Sequence, residues 1–460
     1  MENLHRIIDE NRTEFIETLQ RWIAVPSIKA AQEPGAPFGK EVARALDMAL
    51  SDAAAMGFDT RDFDHYVGDV RMGPQGVDPL AVLAHLDVVP VGDGWTVEPF
   101  GGMTDGERIY GRGTSDDKGP AAAALYAMKA IKLAGIPLKR EVRLILGCDE
   151  ESGWEDIAYY KEHCDMPRTG FSPDASYPLI NTEKGMLGLQ LRGTPAKDGL
   201  KVIVFNVGER HNVVPGSASA IIEGDADQCE RINRLAKEMT LDIEAVPAEK
   251  GIKLTATGIN GHAAYPEGAR NAIGMLLLML RALGVAGPLK TLADTIGMEY
   301  DGASLGVGCS DKTSGPLTCN LGVIRYDEND FYAELDFRFP LLANGERIAE
   351  TAIAALAPEI IATVTAIKRP HHVPPNSALV TALLNAYHEE TGRPRECIST
   401  GGGTYARSLE EGVAFGASFP EEEDVAHQAN EYMSLESLMQ SIRIFARAII
   451  ALAGAESVEG

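Results

Sequence analysis

Two short apolar runs, residues 80–84 and 142–146, stand on either side of an alanine-rich stretch, 119–134, that closes on Gly135 and Pro137. Runs of that length suit strands buried on both faces, and the stretch between them has helical composition. Strand, helix and strand in that order imply parallel neighbours, because a crossover helix returns the chain to the same edge. The same alternation comes back near the C-terminus, with a helix expected at 377–391, a strand around 397–399, a helix after Gly403, a strand at 413–419 and a final amphipathic helix at 434–452. At the other end, Leu4, Ile7, Ile8, Phe15, Ile16, Leu19, Trp22 and Ile23 recur at helical spacing as far as Pro26, and a second helix fits 41–56.

Between these halves the texture changes. Residues 187–191, 218–222, 252–257, 317–326 and 331–339 read as separate strands, with helices fitting 227–239, 264–283 and 345–357. The flanking segments each resemble an incomplete part of one sheet, so the middle is read as an insertion. The expected architecture is an α/β domain with a mostly parallel sheet, built from 1–185 and 371–460, carrying an inserted α+β domain at 186–370.

Charge and composition narrow the function. With 42 Lys+Arg against 67 Asp+Glu, the formal charge of the 460-residue chain is −25, which opposes binding to nucleic acid or an anionic membrane. Apolar residues at 45% and charged residues at 24% match an ordinary folded protein. The N-terminal residues lack both a basic region and an uninterrupted apolar run, so no secretory signal is expected, and no run reaches membrane-spanning length. The six cysteines show no C-x-x-C spacing and read as reduced thiols. A cytoplasmic location follows as the expectation.

The sharpest local feature is His85-Leu86-Asp87, directly after the first buried strand. In extended chain the two polar side chains share a face, so Asp87 can accept from the imidazole and fix which nitrogen remains for a cation. A core histidine satisfied by its neighbour is the plainer alternative. Next come Asp116 and Asp117 within Gly111–Gly119, where a first-turn acidic pair and a metal-bridging carboxylate compete. Asp149, Glu150 and Glu151 follow the second strand, Asp174 follows a turn, and His427 precedes the last helix. Taken together, histidines and carboxylates after strand ends of one α/β domain meet the needs of two divalent ions bridged by a carboxylate, with a spare glutamate as general base.

Other patterns carry less. Gly302-Ala303-Ser304-Leu305-Gly306 satisfies G-x-S-x-G without a supported strand before it or helix after it, so a serine hydrolase is the lesser reading. His388-Glu389-Glu390-Thr391-Gly392 begins like H-E-x-x-H but ends in glycine. Gly401-Gly402-Gly403 lacks the dinucleotide-binding pattern.

In this order the motifs HLDVVPVGDGW, GRGTSDDKGP, GCDEESGW, FSPDASYP, GHAAYPEGARNA and AHQANE resemble the co-catalytic zinc peptidase family of aminoacylases, carboxypeptidase G-like enzymes, carnosinases and bacterial PepV-type dipeptidases. The insert length and the first and third motifs look closest to the PepV type. The resemblance implies that His85, Asp116, Glu151, Asp174 and His427 hold two metals, Asp116 bridging them, with Asp87 orienting His85 and Glu150 moving the proton. It implies two Zn2+ per chain, with Mn2+ or Co2+ as alternatives, and a cis peptide bond after Asp116. It also implies that the insert is a lid, placing His262 at the developing oxyanion and Asn212 and Arg338 at the substrate's terminal carboxylate. Each lid residue has a plainer reading: His262 as a helix cap, Asn212 in a turn, Arg338 paired with Asp336. The expected activity is hydrolysis of dipeptides with a free C-terminal carboxylate by a monomer. An N-acyl amino acid amidase with the same machinery, and a non-catalytic metal-stabilised binding protein, are the alternatives.

Overall fold

The computed structural model describes residues 1–76 and 78–454. The chain forms two compact units: 1–181, 373–398 and 403–460 make the first, 182–372 and 399–402 the second. Each unit has its own hydrophobic core.

At the centre of the first unit lie four parallel strands in the order Val142–Gly147, Leu80–His85, Thr169–Ser172 and Glu411–Ala414. The first two are buried along their whole length, as their apolar sequences require. Beyond them the expectation of a mostly parallel sheet needs correcting. Asp59–Phe63 and Val67–Met72 form an antiparallel hairpin that pairs antiparallel with Val142–Gly147, and Ile180–Glu183 is antiparallel to Glu411–Ala414 on the other side. A turn of three residues can join only antiparallel strands, so the hairpin sets this edge. The sheet is therefore mixed, parallel at its heart and antiparallel on both flanks.

Helix Lys118–Leu133 covers the parallel centre and packs on Leu435–Ala453. Its run of alanines permits that close approach. Gly119 in its first turn has no alternative, because a Cβ there would lie 2.0 Å from the Thr114 carbonyl oxygen. The N-terminal periodicity resolves into two helices, Glu2–Glu10 and Arg12–Ile23. Asn11 divides them, its Nδ2 donating to the Ile7 carbonyl at 2.8 Å and drawing the backbone out of helical continuity. After Gly403 there is a single 3-10 turn, Tyr405–Ser408, and the strand expected at 413–419 is split into Glu411–Ala414 and Ala417–Ser418.

The second unit is an eight-stranded, wholly antiparallel sheet in the order Ile243–Ala248, Gly251–Thr257, Ser217–Ile222, Val202–Val207, Thr318–Asp327, Phe331–Phe339, Gly185–Gly193 and Ile360–Lys368. Helices Cys229–Glu238, Ala272–Ala282, Pro288–Thr295 and Gly345–Leu356 complete its core. The helix expected from residue 264 starts at Ala272, where the Asn271 side chain accepts from the Ile273 and Gly274 N–H groups. Pro266 and Gly268, the latter at φ +81°, keep the preceding residues out of the helix. Among the described residues, no helix is long and apolar enough to cross a membrane.

Candidate metal centre

The first unit brings His85, Asp116, Glu150, Glu151, Asp174 and His427 together. His85 is the last residue of its strand, while Glu150 and Glu151 lie in the loop that follows Val142–Gly147. Asp116 sits at the centre: its Oδ1 is 2.9 Å from His85 Nε2 and its Oδ2 is 2.9 Å from His427 Nε2. One carboxylate thus presents a different oxygen to each of two imidazoles. Glu151 Oε1 lies 2.8 Å from His427 Nε2, and Asp174 Oδ2 lies 3.8 Å from His85 Nε2. Donor atoms of His85, Asp116 and Glu151 fall within 4.8 Å of one another, as do those of His85, Glu150 and Asp174. The Asp116–Asp117 peptide bond is cis.

Asp87 acts differently from the arrangement its spacing suggests. His85 Nδ1 donates to the backbone carbonyl of Asp87 at 2.9 Å, and the Asp87 carboxylate is farther, at 3.4 Å. That carboxylate instead accepts the N–H groups of Glu150 and Glu151, both at 3.1 Å. The tautomer of His85 is still settled, with Nε2 facing the acids, but by main chain. Asp87 fixes the loop that carries the two glutamates.

Asp149, the first of the three successive acids, is structural. It is buried, paired with Lys29, and accepts the N–H of Glu155 at 3.1 Å to open the next helix. Several supports were not singled out by sequence reasoning. Glu431 pairs with Arg112 at 2.6 Å and accepts N–H bonds from Gly113, Ser115 and Asp116 at 3.0, 2.9 and 3.3 Å. Asp156 accepts the N–H groups of Cys148 and Asp149 at 2.7 and 2.9 Å and the hydroxyl of Tyr405. Asp117, which the sequence did mark as one of an acidic pair, is a support of the same kind and accepts the His85 N–H at 3.1 Å. The final Glu of AHQANE was the available signal for Glu431; its partner lies 319 residues away.

The electrostatics follow from crowding acids in a buried place. Burial, reinforced by the charges of Glu151, Asp116 and Asp87 against partial relief from His85, pushes the Glu150 carboxyl well above its ordinary range. Burial and the charges of Asp116 and Asp117 do the same to Asp174. For Asp116 burial opposes ionisation, but hydrogen bonds from His427 and His85 outweigh it and hold the carboxyl well below the usual range. His427 is pushed up to about 11, burial being overcome by Asp116 and Glu151. A cluster with this excess of carboxylates, two imidazoles and one doubly facing aspartate fits hard-to-borderline divalent cations.

In the second unit Asn212 and His262 are neighbours: Ala263 N–H donates to the Asn212 carbonyl at 2.9 Å, and His262 pairs with Val213 across two short strands. His262 does not cap the long helix. Its Nδ1 accepts the Ala264 N–H at 3.1 Å. Arg338 is buried and holds Asp336 through Nε and Nη2 at 2.7 and 3.0 Å, with Nη1 on the Gly401 carbonyl at 2.9 Å. Three of its five N–H groups are thereby used. Ser304 donates to Glu299 at 2.6 Å in an exposed loop, with none of the strand–turn–helix setting of a nucleophile.

One histidine at a strand end and one in a turn, both facing a shared aspartate with glutamates beside it, define a metal-dependent hydrolase. The chain belongs to peptidase family M20/M25/M40, whose model matches residues 81–451, and it is a metallopeptidase. It is similar to the putative dipeptidase YtjP of Bacillus subtilis (strain 168), at 38% identity over 458 residues, covering 96% of this chain and 98% of that protein. It is also similar to the beta-Ala-Xaa dipeptidase of Lactobacillus delbrueckii subsp. lactis, at 32% identity with 98% of both chains covered. Among solved structures, human carnosine dipeptidase 1 matches with a TM-score of 0.60 at 14% identity, covering 98% of this chain and 99% of that one. The dipeptidase Dug1p of Saccharomyces cerevisiae matches with a TM-score of 0.60 at 15% identity and 98% coverage of both. These two likenesses establish the shared fold.

Proposed function

We propose that the protein hydrolyses dipeptides bearing a free C-terminal carboxylate, with two divalent cations held by His85, Asp116, Glu151, Asp174 and His427. The observation that carries this reading is Asp116, whose two carboxylate oxygens face two different imidazoles at 2.9 Å each. Dipeptidase names among full-length relatives support the substrate class. When bound, the cations supply a water of lowered pKa and polarise the scissile carbonyl. Zn2+ is the cation we assign, although a carboxylate-rich set also accepts Mn2+ or Co2+.

The chain's own residues do the rest. Glu150, with its backbone N–H on Asp87 and its carbonyl receiving the Trp154 indole N–H at 2.8 Å, is the general base that takes a proton and returns it to the leaving amine. Asp87 keeps Glu150 and Glu151 in register through their main chain. His262 is assigned to the developing oxyanion, Asn212 and Arg338 to the terminal carboxylate, and the inserted unit to the role of a lid that excludes water. Arg338 retains two N–H groups for that task. The six cysteines are all unpaired, which supports a reducing compartment, and we place the enzyme in the cytoplasm as a monomer.

The test is metal content per chain after exhaustive dialysis, run beside hydrolysis of β-Ala-His and Ala-Ala with and without chelator. Two metals per chain and chelator-sensitive turnover are expected. Action on N-acetyl amino acids alone would replace the dipeptidase reading with that of an N-acyl amino acid amidase.

A further inference from the structure

The run Gly401-Gly402-Gly403 leads to a buried aromatic ring beside the metal centre. Tyr405, two residues past the last of these glycines, opens the 3-10 turn of the first unit and is 1% exposed. Thr404 accepts the Ala406 N–H at 3.2 Å and so fixes where the tyrosine enters the core. There it packs in one cluster with Ala81, Leu83, Ile145 and Leu409. Ala81 and Leu83 precede His85 at alternate positions of one strand, so all three side chains share the face that Tyr405 covers.

The Tyr405 ring lies at 86° to the His85 imidazole with centroids 6.3 Å apart, and at 68° to the Trp154 ring with centroids 5.3 Å apart. Both are favourable edge-to-face contacts. Its hydroxyl donates to Asp156 Oδ2, the oxygen that accepts the Cys148 and Asp149 N–H groups. Trp154 donates its indole N–H to the Glu150 carbonyl at 2.8 Å, and its backbone is left-handed at φ +60°. A bulky residue adopts that conformation only where its contacts impose it. Gly147, the cross-strand partner of His85, leaves room for the phenol: a Cβ there would lie 2.6 Å from Tyr405 Cε2.

We infer that Tyr405 is a positioning residue of the metal centre, whose ring holds the His85 imidazole and the loop of Glu150 and Glu151 at one fixed separation. The Asp87 carbonyl anchors Nδ1 of His85, and a hydrogen bond at that one atom leaves the imidazole plane able to tilt. The perpendicular phenol fills the space such a tilt needs. On the loop side the same phenol acts twice, through Trp154 on the Glu150 carbonyl and through Asp156 on the N–H groups that open the loop. A rigid ring in contact with both partners passes a shift of one to the other. The inference rests on the metal centre being the reacting site and adds to it a residue that acts through its neighbours.

The experiment compares Tyr405→Leu, Tyr405→Phe and Gly147→Ala with the parent. Zn2+ affinity is measured by competition with a chromophoric chelator, the visible spectrum of the Co2+-loaded protein is recorded, and kcat and KM are determined for Ala-Ala. Tyr405→Leu removes the ring and Gly147→Ala displaces it, so loss of folding in one leaves the other to decide. Each should weaken Zn2+ about tenfold and shift the Co2+ bands. Each should also lower kcat about tenfold or more while KM stays within about twofold. Tyr405→Phe keeps the ring and loses only the bond to Asp156, so it should restore the parental affinity and spectrum, with kcat down about threefold. Parental Zn2+ affinity and Co2+ spectrum in folded Tyr405→Leu or Gly147→Ala, even with a lower melting temperature, overturn the positioning role. So does a loss in Tyr405→Phe as large as in Tyr405→Leu. The expected changes in affinity and spectrum, found in a protein whose parent hydrolyses no dipeptide, overturn the proposed activity and leave the positioning role standing.

Discussion

Replacing Glu431 with Gln removes one charge from a pair that is almost wholly shielded from water, Arg112 being 1% exposed and Glu431 0%. Breaking a buried pair by deleting one partner costs about 3–5 kcal/mol, because the remaining charge is stranded. Arg112 keeps some compensation here: its Nη2 lies 3.4 and 3.3 Å from the Pro90 and Val91 carbonyls, and its guanidinium sits 5.3 Å from the Trp95 ring. Gln also keeps an acceptor for the Ser115 N–H, so the lower end, about 3 kcal/mol, is expected. For a unit of this size about 2–4 °C per kcal/mol applies, a fall of roughly 6–12 °C in its thermal transition. The two units need not melt together, so scanning calorimetry of chelated protein should show the loss in one transition only. Because the same carboxylate holds the N–H groups of Ser115 and Asp116, affinity for the cation should fall about tenfold or more. The pair Arg112→Met and Glu431→Gln should recover part of the lost stability. A melting change under 2 °C together with unaltered metal affinity would refute the claim that this pair sets the position of Asp116.

Glu150→Gln should abolish hydrolysis while bound metal, measured by elemental analysis, stays at the parental level; retained turnover would remove the proton-carrying role. Asp156 is pushed up to about 6, chiefly by burial, from an ordinary 3.8. A raised acid favours the folded state when protonated, so its stabilisation is complete below about 3.8 and is lost as pH climbs towards 6. Relative to Asp156→Asn, the parent should therefore lose up to about 3 kcal/mol across that window in urea titrations, and a pH-independent difference would contradict it. Asn271→Ala should destabilise the second unit by about 2 kcal/mol, since it removes a helix cap and also frees Asn320 Oδ1 and the Leu321 carbonyl; a change under 0.5 kcal/mol would show that the cap is dispensable.

The strands at the heart of the first unit were legible because burial on both faces writes itself as an apolar run. Its antiparallel edge was not, since Asp59–Phe63 is largely exposed and its sequence, DTRDF, carries three charges without a buried pattern. The donors could be picked out one by one because each stands next to a strand end or a turn. What sequence could not assign was which atom of Asp87 meets His85, a choice made by main-chain geometry after the strand ends. Nor could it reveal Glu431 with Arg112, or Asp156 with Tyr405, since those pairs join residues 319 and 249 positions apart. Local pattern marks the groups that act; long-range packing chooses the groups that hold them.

Glu151 and His427 touch across 276 positions of chain. At a synthesis rate of roughly 5–20 residues per second, the histidine emerges about 14–55 s after the glutamate. For most of that interval the central sheet also lacks Glu411–Ala414, which slots between Thr169–Ser172 and Ile180–Glu183. A nascent chain therefore displays its acids on an unfinished scaffold, and the cluster closes only once His427 has been made.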